Sequence, residues 1–173
     1  MLITTSRRPT HRARLLGREL ARVLPGAEYV PRGLKTIEKL ASMAGSRGYD
    51  LVMIINSGEG KPKELRFLHA GPSWKWSDAR IELCEVRLQR DLSKRAEARA
   101  TAIAWRGSAE ARELAGLLSE LWGLPLVELP SHRGAVALVI GDRELELQFR
   151  ESPASEPVGP TLRVARFRRG SSW

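Results

Sequence analysis

The chain has 173 residues, of which 42% are hydrophobic and 28% charged, so it is long enough for one domain, or two small packed halves, with a real core. Its 29 Lys and Arg residues outnumber its 20 Asp and Glu residues, which gives a net charge of +9 and a sequence pI near 10.5. An excess of this size predicts a nucleic-acid partner, because cations supply affinity for phosphate whatever the base sequence. The charge-rich surface of a thermophilic protein would instead balance the two signs.

The single cysteine and the hydropathy pattern indicate a protein of a reducing compartment. One cysteine, Cys84, excludes an internal disulfide. It lies in an alternating run, residues 81–86, which predicts a small apolar packing role for it. No stretch approaches the roughly 18 apolar residues of a membrane span, and the apolar start of the chain is too short for a signal peptide. We therefore expect a cytoplasmic protein with no membrane partner.

The first half, which we place at residues 1–95, is predicted to combine strands with two helices. Strands are expected at residues 2–6, 27–30, 51–55, 64–70 and 80–88, and helices within residues 9–24 and 35–47. Pro25 and Gly26 end the first helix, and Gly48 ends the second, for which Thr36 is the expected N-cap. Residues 56–62 are predicted to form a turn.

The second half, residues 96–173, is predicted to follow a polar connection at residues 89–98. Its strands are expected at residues 100–105, 126–129, 135–140, 144–150 and 161–168, and its helix at 109–122. Ser108 is the expected N-cap of that helix, and Gly123 its end. Gly141-Asp142 is the expected hairpin turn, and residues 170–173 are expected to fray.

The apolar positions of two predicted helices coincide when the halves are shifted by about 98 residues. Leu16 then falls on Leu114, and Leu20 falls on Leu118. Strand, helix, strand and proline recur in the same order, although the second half lacks a second helix. The sequence therefore predicts an α/β fold with two similar halves that arose by internal duplication.

The tryptophans and His69 are predicted to be packing residues. Trp74 and Trp76 alternate along the chain, which favours one strand face packed on the core. Stacking on unpaired bases is the functional alternative for this pair. Trp105, Trp122 and His69 are likewise expected to be packing residues.

The junction between the first strand and the first helix is the strongest candidate binding site. It carries hydroxyls and cations, with no acidic residue before Glu19: Ser6, Arg7, Arg8, Thr10, His11, Arg12 and Arg14. A helix N-terminus offers N–H groups and the positive end of the dipole, so the loop predicts an anion site with phosphate as its natural occupant. The alternative is a solvated helix start that happens to be rich in arginine. Cations are unfavourable there, which favours a functional reason for them.

Two further groups of cations extend this prediction. Arg32 and Lys35 flank Gly33 at a strand-to-helix turn and are expected to join the same surface. A cationic stripe accompanies the last strand: Arg163, Arg166, Arg168 and Arg169. The stripe has two interpretations, phosphate contacts or a solvated edge that prevents strand pairing.

No catalytic motif, metal site or cofactor is predicted. Residues 58–61 invite comparison with a phosphate-binding loop, but Ile55 stands where its first glycine is needed and Pro62 where Ser or Thr would hold magnesium. The three histidines are scattered, and no Cys/His pair has zinc spacing. No nucleophile-elbow motif is present.

Residues 2–10, Leu-Ile-Thr-Thr-Ser-Arg-Arg-Pro-Thr, resemble the opening signature of the Brix domain family of ribosome-biogenesis proteins. Arg32-Gly33 is similar to that family's Arg-Gly turn. Residues 69–73 resemble its His…Gly-Pro-Thr segment, with Ser73 in place of Thr and a shorter interval. The resemblance covers essentially the whole chain, which looks most like the compact archaeal members related to the small-subunit processome branch.

The resemblance implies a single Brix domain over residues 1–173, with two halves like the anticodon-binding domain of class IIa aminoacyl-tRNA synthetases. It also implies a non-enzymatic function, the binding of precursor ribosomal RNA and assembly proteins during ribosomal subunit biogenesis. The family's RNA contacts fall on Ser6, Arg7, Arg8, Thr10 and Arg32. By comparison with the family, we expect the chain to lack the long terminal extensions with which many eukaryotic members hold partners, so the identity of its protein partners stays open.

Two other functional classes remain as alternatives. A tRNA-binding accessory module is suggested by the resemblance of folds alone. A nuclease would need a cluster of carboxylates or histidines, which the sequence does not show. No DNA partner is expected.

Overall fold

A computed structural model describes residues 1–91, 98–129 and 132–169. The chain forms two compact units that are interleaved in sequence, whereas the predicted halves are contiguous. The first unit comprises Met1–Ala21, Gly26–Leu83 and the chain from residue 166 on. The second comprises Arg22–Pro25 and Cys84–Ala165.

The first unit contains a mixed sheet and two helices. Its strands are β1 (Leu2–Thr5), β2 (Glu28–Tyr29), β3 (Leu51–Gly58), β4 (Lys61–His69) and β5 (Lys75–Arg87), and its helices are α1 (His11–Val23) and α2 (Ile37–Ser46). The strand order is β2-β1-β3-β4-β5. β1 lies parallel to both β2 and β3, and β4 is antiparallel to β3 and β5. The last residues of α1 and β5 belong to the second unit.

The two helices of the first unit cover opposite faces of the sheet. The five apolar residues that begin β3, 51–55, are all buried, as expected for a strand that is covered on both sides. Val52 and Ile54 belong to the core cluster that includes Leu40 and other buried residues of α2. Gly17 of α1 lies against Ile55, whose side chain alternates to the other face.

The described part of the second unit contains five strands and one long helix. They are β6 (Ala102–Gly107), α3 (Ala109–Trp122), β7 (Leu126–Val127), β8 (Val136–Gly141), β9 (Leu145–Arg150) and β10 (Thr161–Arg168), preceded by a one-turn 3-10 helix, Gln89–Asp91. The strand order is β7-β6-β8-β9-β10. β6 lies parallel to β7 and β8, and β9 is antiparallel to β8 and β10.

Strand order and direction are therefore the same in the two units, and α1 and α3 occupy corresponding places in the chain. The mixed α/β class predicted from the sequence is confirmed. Thr36 caps α2 by accepting a hydrogen bond from the Lys39 N–H, as predicted. α3 likewise has Ser108 as its N-cap and ends at Gly123, which has a φ of 65°. No counterpart of α2 occurs in the described part of the second unit.

The turn predicted at residues 56–62 is wrong in extent. β3 continues to Gly58 and β4 begins at Lys61, so only Glu59 and Gly60 form the turn. Both have positive φ, 50° and 79°, as a tight two-residue hairpin requires. The polar residues 56–58 were predicted to be part of the turn, but they continue β3 beyond its buried residues. Likewise, β5 begins at Lys75, ahead of the predicted start at residue 80.

Several predicted packing residues lie at the surface. Cys84 is exposed, because it alternates with buried Leu83, and its thiol lies 3.5 Å from the Arg163 carbonyl oxygen. His69 is also exposed. Trp76 is 37% exposed and carries the Arg66 guanidinium 4.3 Å from its ring centroid.

Trp105 and Trp122 are half-buried, as packing residues at the margin of a core. The Arg112 guanidinium lies 5.5 Å from the Trp105 ring centroid, and Trp122 stacks on Phe149 at 6.2 Å. The connection predicted at residues 89–98 lies partly outside the described residues, and the frayed end predicted at 170–173 lies wholly outside them. Among the described residues, no helix is both long and apolar enough to span a membrane.

Candidate nucleic-acid interface

The candidate site lies at one edge of the sheet in the first unit. Because β1, β2 and β3 are parallel, their carboxyl ends meet at the same edge. The β1–α1 loop, defined here as residues 6–10, leaves β1 at this edge. The β2–α2 turn, residues 30–36, leaves β2 there as well. The fold thus brings together two basic segments that are distant in sequence.

Hydrogen bonds at both ends hold the β1–α1 loop in place. The Ser6 N–H donates to the Ile55 carbonyl at 3.0 Å, which extends the β1–β3 ladder by one step. Thr10 caps α1, because its hydroxyl accepts a hydrogen bond from the Ala13 N–H at 3.2 Å. The Thr10 N–H in turn donates to the Ser57 hydroxyl of β3 at 3.3 Å. Sequence reasoning missed Ser57, since it falls in the segment predicted as a turn.

The corresponding junction in the second unit, between β6 and α3, is shorter than the β1–α1 loop. There one residue, Ser108, both donates its N–H to the Gly141 carbonyl at 3.1 Å and caps α3 by accepting from the Ala111 N–H at 3.2 Å. In the first unit the two tasks fall on Ser6 and Thr10, four residues apart. Compared with the second unit, the first unit thus has four more positions between the ladder bond and the cap, and Arg7, Arg8 and Pro9 lie in this stretch.

The β1–α1 loop and the first turn of α1 form a strongly cationic surface. Its exposed cationic and imidazole side chains are Arg7, Arg8, His11, Arg12 and Arg14. The first turn of α1 contains no acidic residue, and the first carboxylate of the helix, Glu19, is buried. Ser6 and Thr10 are half-buried beside these cations. A helix N-terminus with this surround is suited to an anion with several oxygens, such as phosphate.

Arg32 and Lys35, which were expected to join the same surface, make hydrogen bonds within the β2–α2 turn. Arg32 is 6% exposed, and its Nε–H donates to the Lys35 carbonyl at 2.7 Å. The Lys35 ammonium donates to the Pro31 carbonyl at 3.0 Å. Burial, followed by the positive charge of Arg7, lowers the pKa of Arg32 below its usual value. Arg32 therefore lies under the surface and supports it electrostatically.

Glu38 is the carboxylate that faces these cations. Its own backbone N–H and the Thr36 hydroxyl lower the pKa of Glu38, and the charges of Arg7 and Arg32 lower it further. The carboxyl is thereby kept ionised at the start of α2, where a negative charge also suits the helix dipole.

The C-terminal arginines do not join the β1–α1 loop. Arg163 pairs with Glu85 at 2.7 Å and with Glu144 at 2.8 Å. Arg166 pairs with Glu82 of β5 at 2.7 Å. β5 is the third strand from β1 in the sheet, so this ion pair lies about 14 Å from β1. Arg168 is exposed. Carboxylates thus pair with two of the four arginines of this stripe, which argues against phosphate contacts by those two. The interpretation as a strand edge is wrong, because β10 has strand neighbours on both sides.

We expect Thr10→Ala to lower the free energy of unfolding by about 1 kcal/mol, because the α1 N–H groups lose their cap and Ser57 loses a partner. Thr10→Ser keeps a hydroxyl in place and should cost less than half as much. Urea denaturation of both variants measures the difference. Equal losses would show that the Thr10 methyl group, and not the cap, is what stabilises the loop.

Comparison with known proteins supports the resemblance seen in the sequence. No family model matches the chain. A curated protein of Pyrococcus horikoshii, a probable Brix domain-containing ribosomal biogenesis protein, is 43% identical over 93 residues, which are 53% of this chain and 41% of that protein. In sequence, the chain is similar to archaeal Brix domain proteins. The chain spans less than half the length of the Pyrococcus protein.

The chain is also similar to a eukaryotic protein and to a solved archaeal structure. The Bos taurus protein named U3 small nucleolar ribonucleoprotein protein IMP4 is 30% identical over 94 residues, 53% of this chain and 31% of that protein. The crystal structure of a probable ribosomal biogenesis protein from Aeropyrum pernix K1 superposes with a TM-score of 0.80 at 24% identity, covering 99% of this chain and 96% of the other. This superposition shows that the chain and the Aeropyrum protein share a fold.

Proposed function

We propose that this chain is an RNA-binding factor of ribosome biogenesis that acts without catalysis in precursor ribosomal RNA processing. The observation that carries the proposal is the β1–α1 loop, an arginine-bearing stretch over a helix N-terminus with no acidic residue in the first helical turn. Arginine pairs with phosphate through a planar fork, which gives directional contacts as well as charge. The names of the relatives point to the same process.

The proposed contacts are confined to the first unit. We assign phosphate binding to Ser6, Arg7, Arg8, Thr10, His11, Arg12 and Arg14. Arg32 and Lys35 position the neighbouring turn, as their hydrogen bonds indicate. We leave Arg163 and Arg166 outside the interface because carboxylates already pair with both.

We also propose that the two units arose by internal duplication. Their equal strand order, with equal directions, supports this origin. So does the correspondence between the Ser6 and Ser108 ladder bonds. Only one copy has the arginine-bearing loop, which explains why a duplicated fold would carry a single RNA site.

Competition between two RNAs tests the proposal. A labelled fragment of precursor ribosomal RNA is bound to the protein and challenged with unlabelled ribosomal RNA or unlabelled tRNA. The proposal expects ribosomal RNA to displace the label at lower concentration. Displacement by tRNA at equal or lower concentration would favour a tRNA-binding accessory module, the alternative suggested by the predicted likeness to anticodon-binding domains.

A non-catalytic factor should leave RNA intact. We expect full-length precursor RNA to be recovered after incubation with the protein and magnesium, as judged on a denaturing gel. Among the described residues, no three His, Cys, Asp or Glu side chains come together to hold a metal ion. Cleavage that persists in Arg7→Ala/Arg8→Ala would point to a contaminant, whereas cleavage lost in that variant would refute the non-catalytic role.

A further inference from the structure

A groove of about 650 Å³ opens on the first unit beside α2. One wall is α2, and the others are the turn that follows it and the β4–β5 turn. Most lining side chains are small or apolar: Ala41, Ser42, Gly45, Ala70, Pro72 and Trp74. A Cβ atom on Gly45 would lie 3.6 Å from the Gly71 Cα, so the two walls approach each other closely at this point. The volume falls in the usual range of binding pockets.

Among the described residues that line the groove, the two charged ones are both acidic. They are Glu38 near the start of α2 and Asp50 after its end, and both are exposed. This is notable on a chain with a net charge of +9. Carboxylates repel RNA phosphates and attract a cationic protein segment. The groove therefore differs in chemistry from the β1–α1 loop, although both belong to the same unit.

The dimensions suit a short segment of chain. The α2 wall between Glu38 and Ser46 rises about 12 Å. An extended peptide spans this length with about four residues. Two apolar side chains can then lie over the small residues of the wall, with basic residues on either side of them.

We propose that this groove binds a short extended segment of a protein partner, in which apolar side chains lie between basic residues. Burial of the apolar side chains provides affinity, and the two carboxylates select the flanking charges. The proposal does not depend on RNA binding by the β1–α1 loop.

Three matched peptides test it with the intact chain. The first has two adjacent leucines with two lysines on each side, the second has glutamate for each lysine, and the third has serine for each leucine. Fluorescence anisotropy gives the affinities, and amide shifts in ¹⁵N spectra locate the site. We expect binding of the lysine–leucine peptide alone, with shifts at Ser42, Gly45 and Gly71.

Variants separate the groove from the general charge of the protein. Asp50→Lys should weaken the lysine–leucine peptide about fivefold, the effect of losing one exposed ion pair and gaining a repulsion. Ser42→Trp fills the groove from an exposed helix position and should weaken the peptide at least about fivefold. Glu113→Lys on α3 makes the same charge change elsewhere and should have no effect. Arg7→Ala/Arg8→Ala should bind the peptide at least as tightly as the wild type, because Arg7 no longer offsets the Glu38 charge.

Equal binding of the lysine and glutamate peptides would overturn the proposal. So would amide shifts confined to other surfaces, or unchanged affinity in both groove variants. Displacement of the peptide from the groove by ribosomal RNA would assign the groove to RNA instead. Loss of RNA binding in Arg7→Ala/Arg8→Ala with undiminished peptide binding would support both proposals independently.

Discussion

Arg7→Ala/Arg8→Ala should weaken binding to labelled precursor ribosomal RNA by about 10- to 50-fold at 0.1 M salt, because two exposed charge-assisted phosphate contacts are lost. The log–log slope of affinity against salt should become shallower by about 1–2, since fewer counterions are released. A salt series on wild type and variant measures both quantities. The fold should be unaffected, because both side chains are exposed and lie between the Ser6 and Thr10 anchors.

The matched control removes the same charge from the corresponding edge of the second unit. Arg106→Ala/Arg143→Ala acts beside the Ser108 corner, where the four additional positions are absent. Arg106 lies 3.5 Å from Asp142, so its charge is already compensated in part. We expect less than a threefold loss of RNA affinity, the general electrostatic effect of removing two distant charges.

Equal losses in these two double variants would contradict the site assignment, because net charge and not the β1–α1 loop would then hold the RNA. An unchanged affinity in Arg7→Ala/Arg8→Ala would have the same meaning. The search would then move to Arg163, Arg166 and Arg168. Breaking their ion pairs with Glu82 and Glu85 would show whether the paired arginines contribute.

Gly17→Ala should lower the free energy of unfolding by about 1–2 kcal/mol, although alanine is the better helix former. A Cβ atom at this position would lie 2.6 Å from the Tyr29 ring, closer than two carbon atoms can approach. The Arg18 guanidinium lies 5.8 Å from the centroid of the same ring, so α1 holds Tyr29 from two positions. Overpacking costs about 1–3 kcal/mol, which exceeds the gain in helix propensity of about 1 kcal/mol.

Gly116→Ala is the matched control, because it makes the same substitution within a helix that has room for it. A Cβ atom on Gly116 of α3 would meet nothing within 4 Å. We expect this variant to raise the free energy of unfolding by about 0.5–1 kcal/mol. Thermal and urea unfolding of the two variants should therefore give opposite signs. Stabilisation by both would show that Tyr29 yields easily and that α1 is not tightly packed on β2.

Local patterns in the sequence determined many of the secondary-structure elements. The apolar spacing and caps of α3 predicted its bounds, since a helix is specified by residues three and four positions apart and by its ends. The arginine content of the β1–α1 loop and its place before a helix were likewise visible, because they need only neighbouring residues. The sequence did not show that Ser6 and Thr10 divide two roles. This was visible only in the structure, where Ser108 has both roles at once.

The tertiary structure decided which cations are available. Arg32 and Arg7 both occur in basic segments of the sequence, but packing buries the first and exposes the second. Arg163 and Arg166 meet carboxylates that are about 80 residues away in the chain. Burial and ion pairing depend on neighbours brought together by the sheet register, which local patterns do not contain. The sequence by itself therefore determined most of the elements and the positions of the arginines along them, whereas the fold decided which of those arginines are exposed and which are buried or paired.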